Sequence, residues 1–269
     1  MKGMMSLAYI TFKEGIRNRA LFGIFIMALL AFSLTVTLTN LFMRDIVRVA
    51  ASLSLSTISF SGLLMVIFIG TNLLSKDIDK RTIYMVISRP ISRAEYIVGK
   101  FLGLCLLVTS SVLFLGIISS LPVYFAGLSY QNPQSMFSWG IYFTAILFIA
   151  MKLMLIASVI IFFSSITSTA FISMILTIAT YIIGSTNEVA KGLLDVKMEG
   201  VEITPLTAAI IKVVYYIFPN LSAFDLKVQA VHGIPLEPGY LLWFTLYWLL
   251  YMGIMVAAGA VIMGRREFP

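Results

Sequence analysis

The sequence predicts an all-α integral membrane protein: a single membrane-spanning domain, residues 1–269, with six transmembrane helices, an N-terminal interfacial elbow helix, a cytoplasmic helix and a short outer-leaflet helix before the last span. Three observations lead there. Of 269 residues, 60% are hydrophobic and 12% charged, with a mean hydropathy of +1.00, whereas soluble domains are about one quarter charged and about half apolar. Six apolar runs approach the ~20 residues a helix needs to cross a hydrocarbon core. The basic residues gather on one side of those runs. A soluble enzyme, a disordered tail and a disulfide scaffold are excluded by this composition. Cys105 is the only cysteine and His232 the only histidine, so neither an internal bridge nor a multi-histidine metal site can form.

In residues 1–19, Met5, Tyr9, Phe12 and Ile16 recur at helical spacing while Lys13, Arg17 and Arg19 point elsewhere. That pattern suits a helix lying in the membrane interface with its cations near anionic head groups, although an orientation signal for the first span needs the cations alone. The first span, Ala20–Asn40, is too long for a signal-peptide core. It ends in Thr-Leu-Thr-Asn rather than a small-residue cleavage site, so it is expected to stay in the mature protein. The second span is Ser52–Ser75.

Residues Lys76–Lys100 are too polar at their start for lipid and too apolar later for a plain linker, with Ile83, Tyr84, Met85, Val86 and Ile87 in a row. Pro90 ends a first short helix, because it pushes Arg89 out of the helical region. Ser92 and Glu95 form a capping box that restarts the helix into the third span, Phe101–Gly127. Such a helix–break–helix reads as a docking surface. The remaining spans are Trp139–Ser164, Thr169–Thr186 and Gly239–Gly264. Between the last two lies an extracytoplasmic segment, residues 187–238, with acids at Glu188, Asp195, Glu199 and Glu202. Within it Leu206–Phe218 is apolar but too short to cross, so it is expected on or dipping into the outer leaflet, broken at Pro219-Asn220.

Charge placement orients the chain. Lys2, Lys13, Arg17, Arg19, Lys76, Lys80, Arg81, Arg89, Arg93, Lys100, Arg265 and Arg266 fall on one side, twelve against six on the other (Arg44, Arg48, Lys191, Lys197, Lys212 and Lys227). The positive-inside rule puts both termini and residues 76–100 in the cytoplasm, and six spans agree in parity. The net charge of +7 is thus read as membrane topology and not as a nucleic-acid surface.

An acidic start (Asp77, Asp79), then Lys80-Arg81-Thr82-Ile83, an apolar patch, Ser-Arg89-Pro90-Ile-Ser92-Arg93, a short gap with Glu95, and Gly99-Lys100 resembles the coupling segment of type-2 ATP-binding-cassette permeases. The family's usual form is Glu-x-x-x-Gly-Thr, Ser-x-Pro-Val-Ser-Arg, Gly-Lys; here Arg81 replaces the Gly and aspartates replace the Glu. Phe-Lys-Glu-Gly-Ile-Arg-Asn-Arg before the first span and Gly-Arg-Arg-Glu-Phe at Gly264–Phe268 also match. The copper-maturation and the gliding or efflux branches are candidate relatives. The resemblance implies two six-span subunits, identical or not, in the cell membrane of a prokaryote, each docked on a cytoplasmic ATPase. Arg81, Arg89 and Arg93 would pair with acids on that partner while Ile83, Tyr84 and Val86 fill its groove. This chain has no Gly-x-x-x-x-Gly-Lys-[Ser/Thr] phosphate loop, so ATP and magnesium would belong to the partner and this chain would bind no cofactor of its own.

Lys152 lies about a dozen residues (~18 Å) from either end of its span, too deep for its stem to snorkel. An ammonium there costs about 2.5–3.5 kcal/mol on insertion scales, so it should face protein or a wet cavity. It is either a contact for an anionic substrate group or gate, or a lysine capped by serines and backbone carbonyls of its neighbours; no acid lies within a span to neutralise it. Ser56 and Ser59 in the second span, and Ser173, Thr177 and Thr180 on one stripe of the fifth, line either a translocation seam between protomers or ordinary helix packing. The fifteen methionines are scattered as apolar fillers, which argues against a metal site.

The leading functional expectation is a permease, an exporter driven by a partner ATPase. An alternative is a mechanotransmission subunit, passing ATP-driven motion to an extracytoplasmic partner protein, for example in metal-site maturation, without moving a solute. An intramembrane enzyme is disfavoured by the lack of a His-Glu-x-x-His motif and of a catalytic acid pair in the spans.

Overall fold

The computed structural model describes residues 2–39, 45–73, 92–129, 137–167, 169–195 and 205–265, which are mostly helical with no strand among them. The helices are α1 (Lys2–Ile16), α2 (Arg19–Thr39), α3 (Ile46–Met65), α4 (Arg93–Ser129), α5 (Trp139–Ile166), α6 (Ala170–Asp195), α7 (Pro205–Ile217), α8 (Lys227–His232) and α9 (Pro238–Arg265). A π-helical turn, Val66–Gly70, carries α3 on towards Leu73. Six stretches are long and apolar enough to cross a membrane: Arg19–Thr39, Ile46–Leu73, Arg93–Leu128, Trp139–Ile166, Ala170–Gly192 and Pro238–Arg265. The expected all-α architecture with six spans is therefore present.

Several boundaries move. α3 starts at Ile46 rather than Ser52, because Arg48, which interrupts the apolar pattern, sits in its first turn and pairs with Asp45 (3.4 Å). α6 continues to Asp195 rather than stopping at Thr186. Residues after Thr186 are polar enough to end an apolar window, yet Glu, Ala and Lys are good helix formers.

α5 is apolar on every face, the signature of a helix buried on all sides. Its most apolar stretch is 72% buried, against 28% for α2 and 17% for α9. It packs against α3, α4, α6 and α9, so it is the centre of the bundle. Tyr142 on α5 and Ser119 on α4 share a buried hydrogen bond of 2.8 Å, and Ser164 and Ser173 join α5 to α6 at 2.7 Å.

α1 runs alongside the first turns of α4, in the same direction. A Cβ on Gly99 would sit 3.1 Å from the Met4 carbonyl, and one on Gly103 would lie 2.6 Å from the Ala8 carbonyl and 2.5 Å from Thr11 Cβ. Further along, Gly15 meets Leu107. This register follows α4 over about three turns. The face used is Leu7, Ala8, Thr11 and Gly15; of the expected apolar stripe, Met5, Tyr9 and Ile16 are exposed and Phe12 packs partly buried against the core.

Gly103 permits that approach, since any side chain there meets backbone. Gly103→Val is expected to lower the stability of the detergent-solubilised protein by about 1–3 kcal/mol through overpacking. An unfolding transition unchanged from wild type would show that α1 is not held there.

Candidate functional site

The end of the bundle that carries Arg19, Arg93 and Arg265 is the basic end. Of the residues expected to couple to an ATPase, Asp77, Asp79, Lys80, Arg81, Thr82, Ile83, Tyr84, Val86, Arg89 and Pro90 lie outside the described residues. The exit of that segment is described. The Ser92 amide donates to Glu95 Oε2 (3.1 Å) and the Glu95 amide to Ser92 Oγ (3.2 Å), the reciprocal capping box that starts α4.

The first two turns of α4 then tie three other elements together. Arg93 donates to the carbonyls of Met263 and Gly264 (3.4 and 3.5 Å), placing a cation on the C-terminal end of α9. Gly99 carries the Met4 and Leu7 side of α1. Lys100 is 6% exposed, donates to the Leu73 carbonyl at the end of the second span (3.2 Å) and lies 3.8 Å from Glu14 of α1. Beside this joint, Lys13, Glu14, Arg17, Asn18 and Arg19 line an open cleft of about 670 Å³.

Deep in the bundle, Lys152 is 4% exposed. Its Nζ lies 5.6 Å from the centre of the Tyr181 ring on α6. It makes no hydrogen bond or ion pair among the described residues, so the capping by serines or backbone carbonyls weighed from sequence is absent from this conformation. Asp225 and Lys227, which belong to the segment between α7 and α9, are the charges that act on it.

The candidate hydroxyls separate into two groups. Ser56 and Ser59 on α3 are half-buried, with Ser56 Oγ bonded back to the Ser52 carbonyl (2.7 Å). Ser173, Thr177 and Thr180 on α6 are buried. Thr177 and Thr180 donate to the carbonyls of Ser173 and Leu176 (2.8 and 2.9 Å), one turn back on their own helix.

Over Lys152 and Tyr181 the chain folds back into the bundle, a feature the sequence reading missed. α7, the short apolar helix expected at Leu206–Phe218, ends at Ile217 because Pro219 forbids Phe218 a helical conformation. Asn220 Oδ1 then accepts from Ser222 Oγ (2.7 Å) and the Ala223 amide (3.4 Å), turning the chain into a 3₁₀ turn, Ser222–Phe224. α8 follows and stops at Gly233, whose left-handed conformation (φ 64°) suits a helix end. Leu221, Ala223, Phe224, Leu226 and Ala230 are all buried, Phe224 against Phe148, Phe244 and Tyr247.

This lid is clasped from two sides. On α6, Gly184 lets the lid approach so closely that a Cβ would meet the Pro219 carbonyl at 2.5 Å, and its carbonyl accepts from the Leu221 amide (3.0 Å). On α9, Tyr240 donates to the Ala223 carbonyl (2.7 Å), Tyr247 accepts from the Asn220 amide (3.0 Å) and Tyr251 donates to the Ile217 carbonyl (3.1 Å). The spacing of Tyr240, Phe244, Tyr247 and Tyr251 marks one face of α9 and was legible as such. Aromatics near a span end read equally well as an interfacial belt.

Each tyrosine hydroxyl in this clasp should contribute about 0.5–1.5 kcal/mol. Tyr240→Phe with Tyr247→Phe is expected to speed hydrogen exchange of the amides around Asn220–Phe224 while leaving those of α5 protected. Unchanged exchange in the lid would mean the hydroxyls do not hold it.

No curated protein matches the chain at a significant level. The model of the ABC-2 family transporter proteins matches residues 5–267, nearly the whole chain. Six apolar spans and a match of that length make the chain a member of the ABC-2 transporter family, a membrane permease subunit of an ABC transporter.

Proposed function

We propose that the chain is the membrane half of an exporter in the cell membrane of a prokaryote, with both termini cytoplasmic. In this reading two copies, or one copy and a close homologue, pair in the bilayer, and each docks on a cytoplasmic ATPase that holds the ATP and magnesium. The handle is residues 76–100, with Arg81, Arg89 and Arg93 facing acids of the partner and Ile83, Tyr84 and Val86 filling its groove.

The observation that carries the reading is the joint where this segment enters α4. Within eight residues Arg93, Gly99 and Lys100 touch α9, α1 and the end of the second span. A displacement of the segment is thereby passed to four helices at once, as a rigid-body lever and not as a loop movement. The π turn at Val66–Gly70, packed by Gly70 against Ile160 and Leu104, is where the second span can change its course relative to α5. The lid between α7 and α9 is the element that opens at the opposite end. In this reading cargo enters near Lys152 and leaves past the lid.

Mechanotransmission to an extracytoplasmic partner is the second reading. It is favoured by α7, which leaves Val213, Tyr216 and Ile217 exposed at 55%, 82% and 62%.

Arg89→Glu is expected to abolish capture of the co-expressed ATPase and its stimulation, while the permease still inserts and Ser92–Lys100 stay intact. Retained capture and hydrolysis would remove the docking claim. A reporter fused after residue 269 should be active only in the cytoplasm, and activity on the far side would reverse the topology. Transport and mechanotransmission separate on Tyr216→Ala, which should leave solute-stimulated hydrolysis unchanged in an exporter.

A further inference from the structure

We propose that Lys152 and the ring of Tyr181 form the binding site for the acidic group of an amphipathic cargo, a molecule with an apolar body and one carboxylate or phosphate. The inference rests on the permease reading and names the class of molecule such a permease would carry.

Two lysines among the described residues are almost wholly buried, and they differ. Lys100, 6% exposed, has the Leu73 carbonyl at 3.2 Å and Glu14 at 3.8 Å. Lys152, 4% exposed, has no hydrogen bond or ion pair among the described residues. Its neighbour is the face of Tyr181 at 5.6 Å, an attraction far weaker than a carboxylate in contact. Asp225 acts on it from a distance, with its Oδ1 engaged by the Lys227 amide (3.3 Å). A buried cation without an acceptor is costly unless something arrives to meet it.

The surroundings suit an apolar body attached to that acid. Ile178 and Tyr181 of α6 pack against the core, as do Met151 and Met154 of α5, Met154 with its sulfur towards Thr109 of α4. Methionine re-packs readily around irregular shapes. The depth is that of acyl chains, about a dozen residues from either end of α5. The lid over the site is fastened by a few single hydrogen bonds to Tyr240, Tyr247 and Gly184, not by a continuous ladder, so its release needs few contacts to break.

The full chain in phosphatidylcholine nanodiscs, without any ATPase, is to be photolabelled with diazirine-bearing stearic acid and with its methyl ester. The acid is expected to label peptides of α5 and α6 saturably and the ester is not; equal labelling in the wild type overturns the proposal. Lys152→Met should weaken labelling ~10-fold or more, the worth of one hydrogen bond to a charged group. Lys152→Arg should retain it. Labelling unchanged in Lys152→Met, or lost in Lys152→Arg, overturns the proposal as well. Adding phosphatidylglycerol tells the two sources of the acid apart: displacement assigns the site to an acidic membrane lipid, and persistence to a free amphiphile. Because no ATPase is present, failure here leaves the coupling reading standing, and failure of coupling leaves this binding unaffected.

Discussion

α5 is apolar on every side, and the rest of the bundle is arranged to cover it. In lipid there is no hydrophobic gain from bringing two helices together, so close van der Waals packing has to do it. Small residues on the neighbours permit that packing: a Cβ on Gly62 of α3 would lie 2.3 Å from Leu153, and one on Gly116 of α4 would lie 2.9 Å from Ile146. The same arrangement buries the one charge α5 carries. Lys152 is central because its helix is central.

The two ends of the bundle are joined by different chemistry. At the basic end, cations sit on the C-terminal carbonyls of other helices, Arg93 on α9 and Lys100 on the second span. Such contacts are electrostatic and tolerate small rotations. At the far end, tyrosine hydroxyls and Gly184 hold the backbone of a short, irregular segment. Non-helical backbone at membrane depth is tolerated where it is buried in protein, as this segment is by Phe224 and Leu226. A tolerant joint at one end and a few directional bonds at the other suit a device in which movement begins at the first and is released at the second.

Much of the fold was legible because it is local. Six spans follow from apolar length, and the start of α4 follows from Ser92 and Glu95, three residues apart. The packing of α1 on α4 was not legible. The stripe of Met5, Tyr9, Phe12 and Ile16 marks a face suited to the membrane interface and says nothing of the face of Leu7, Ala8, Thr11 and Gly15, which packs because Gly99 and Gly103 of α4 leave room for it. Which face of α1 packs is thus a property of two helices together. The lid escaped for a related reason: its Pro219, Asn220 and Gly233 are ordinary turn residues until Gly184 and the tyrosines of α9 are placed beside them.

The amino-acid sequence by itself determined that the chain spans a bilayer six times, that a basic segment follows the second span, and that a lysine lies at mid-depth in the fourth. These follow from residue type and spacing along one helix, where desolvation and capping act over a few residues. Only the tertiary structure decided what stands next to that lysine. Tyr181 is 29 residues away in sequence, and packing around α5 brings its ring to 5.6 Å from the Lys152 Nζ, because apolar length specifies that a helix crosses but not which face meets which neighbour.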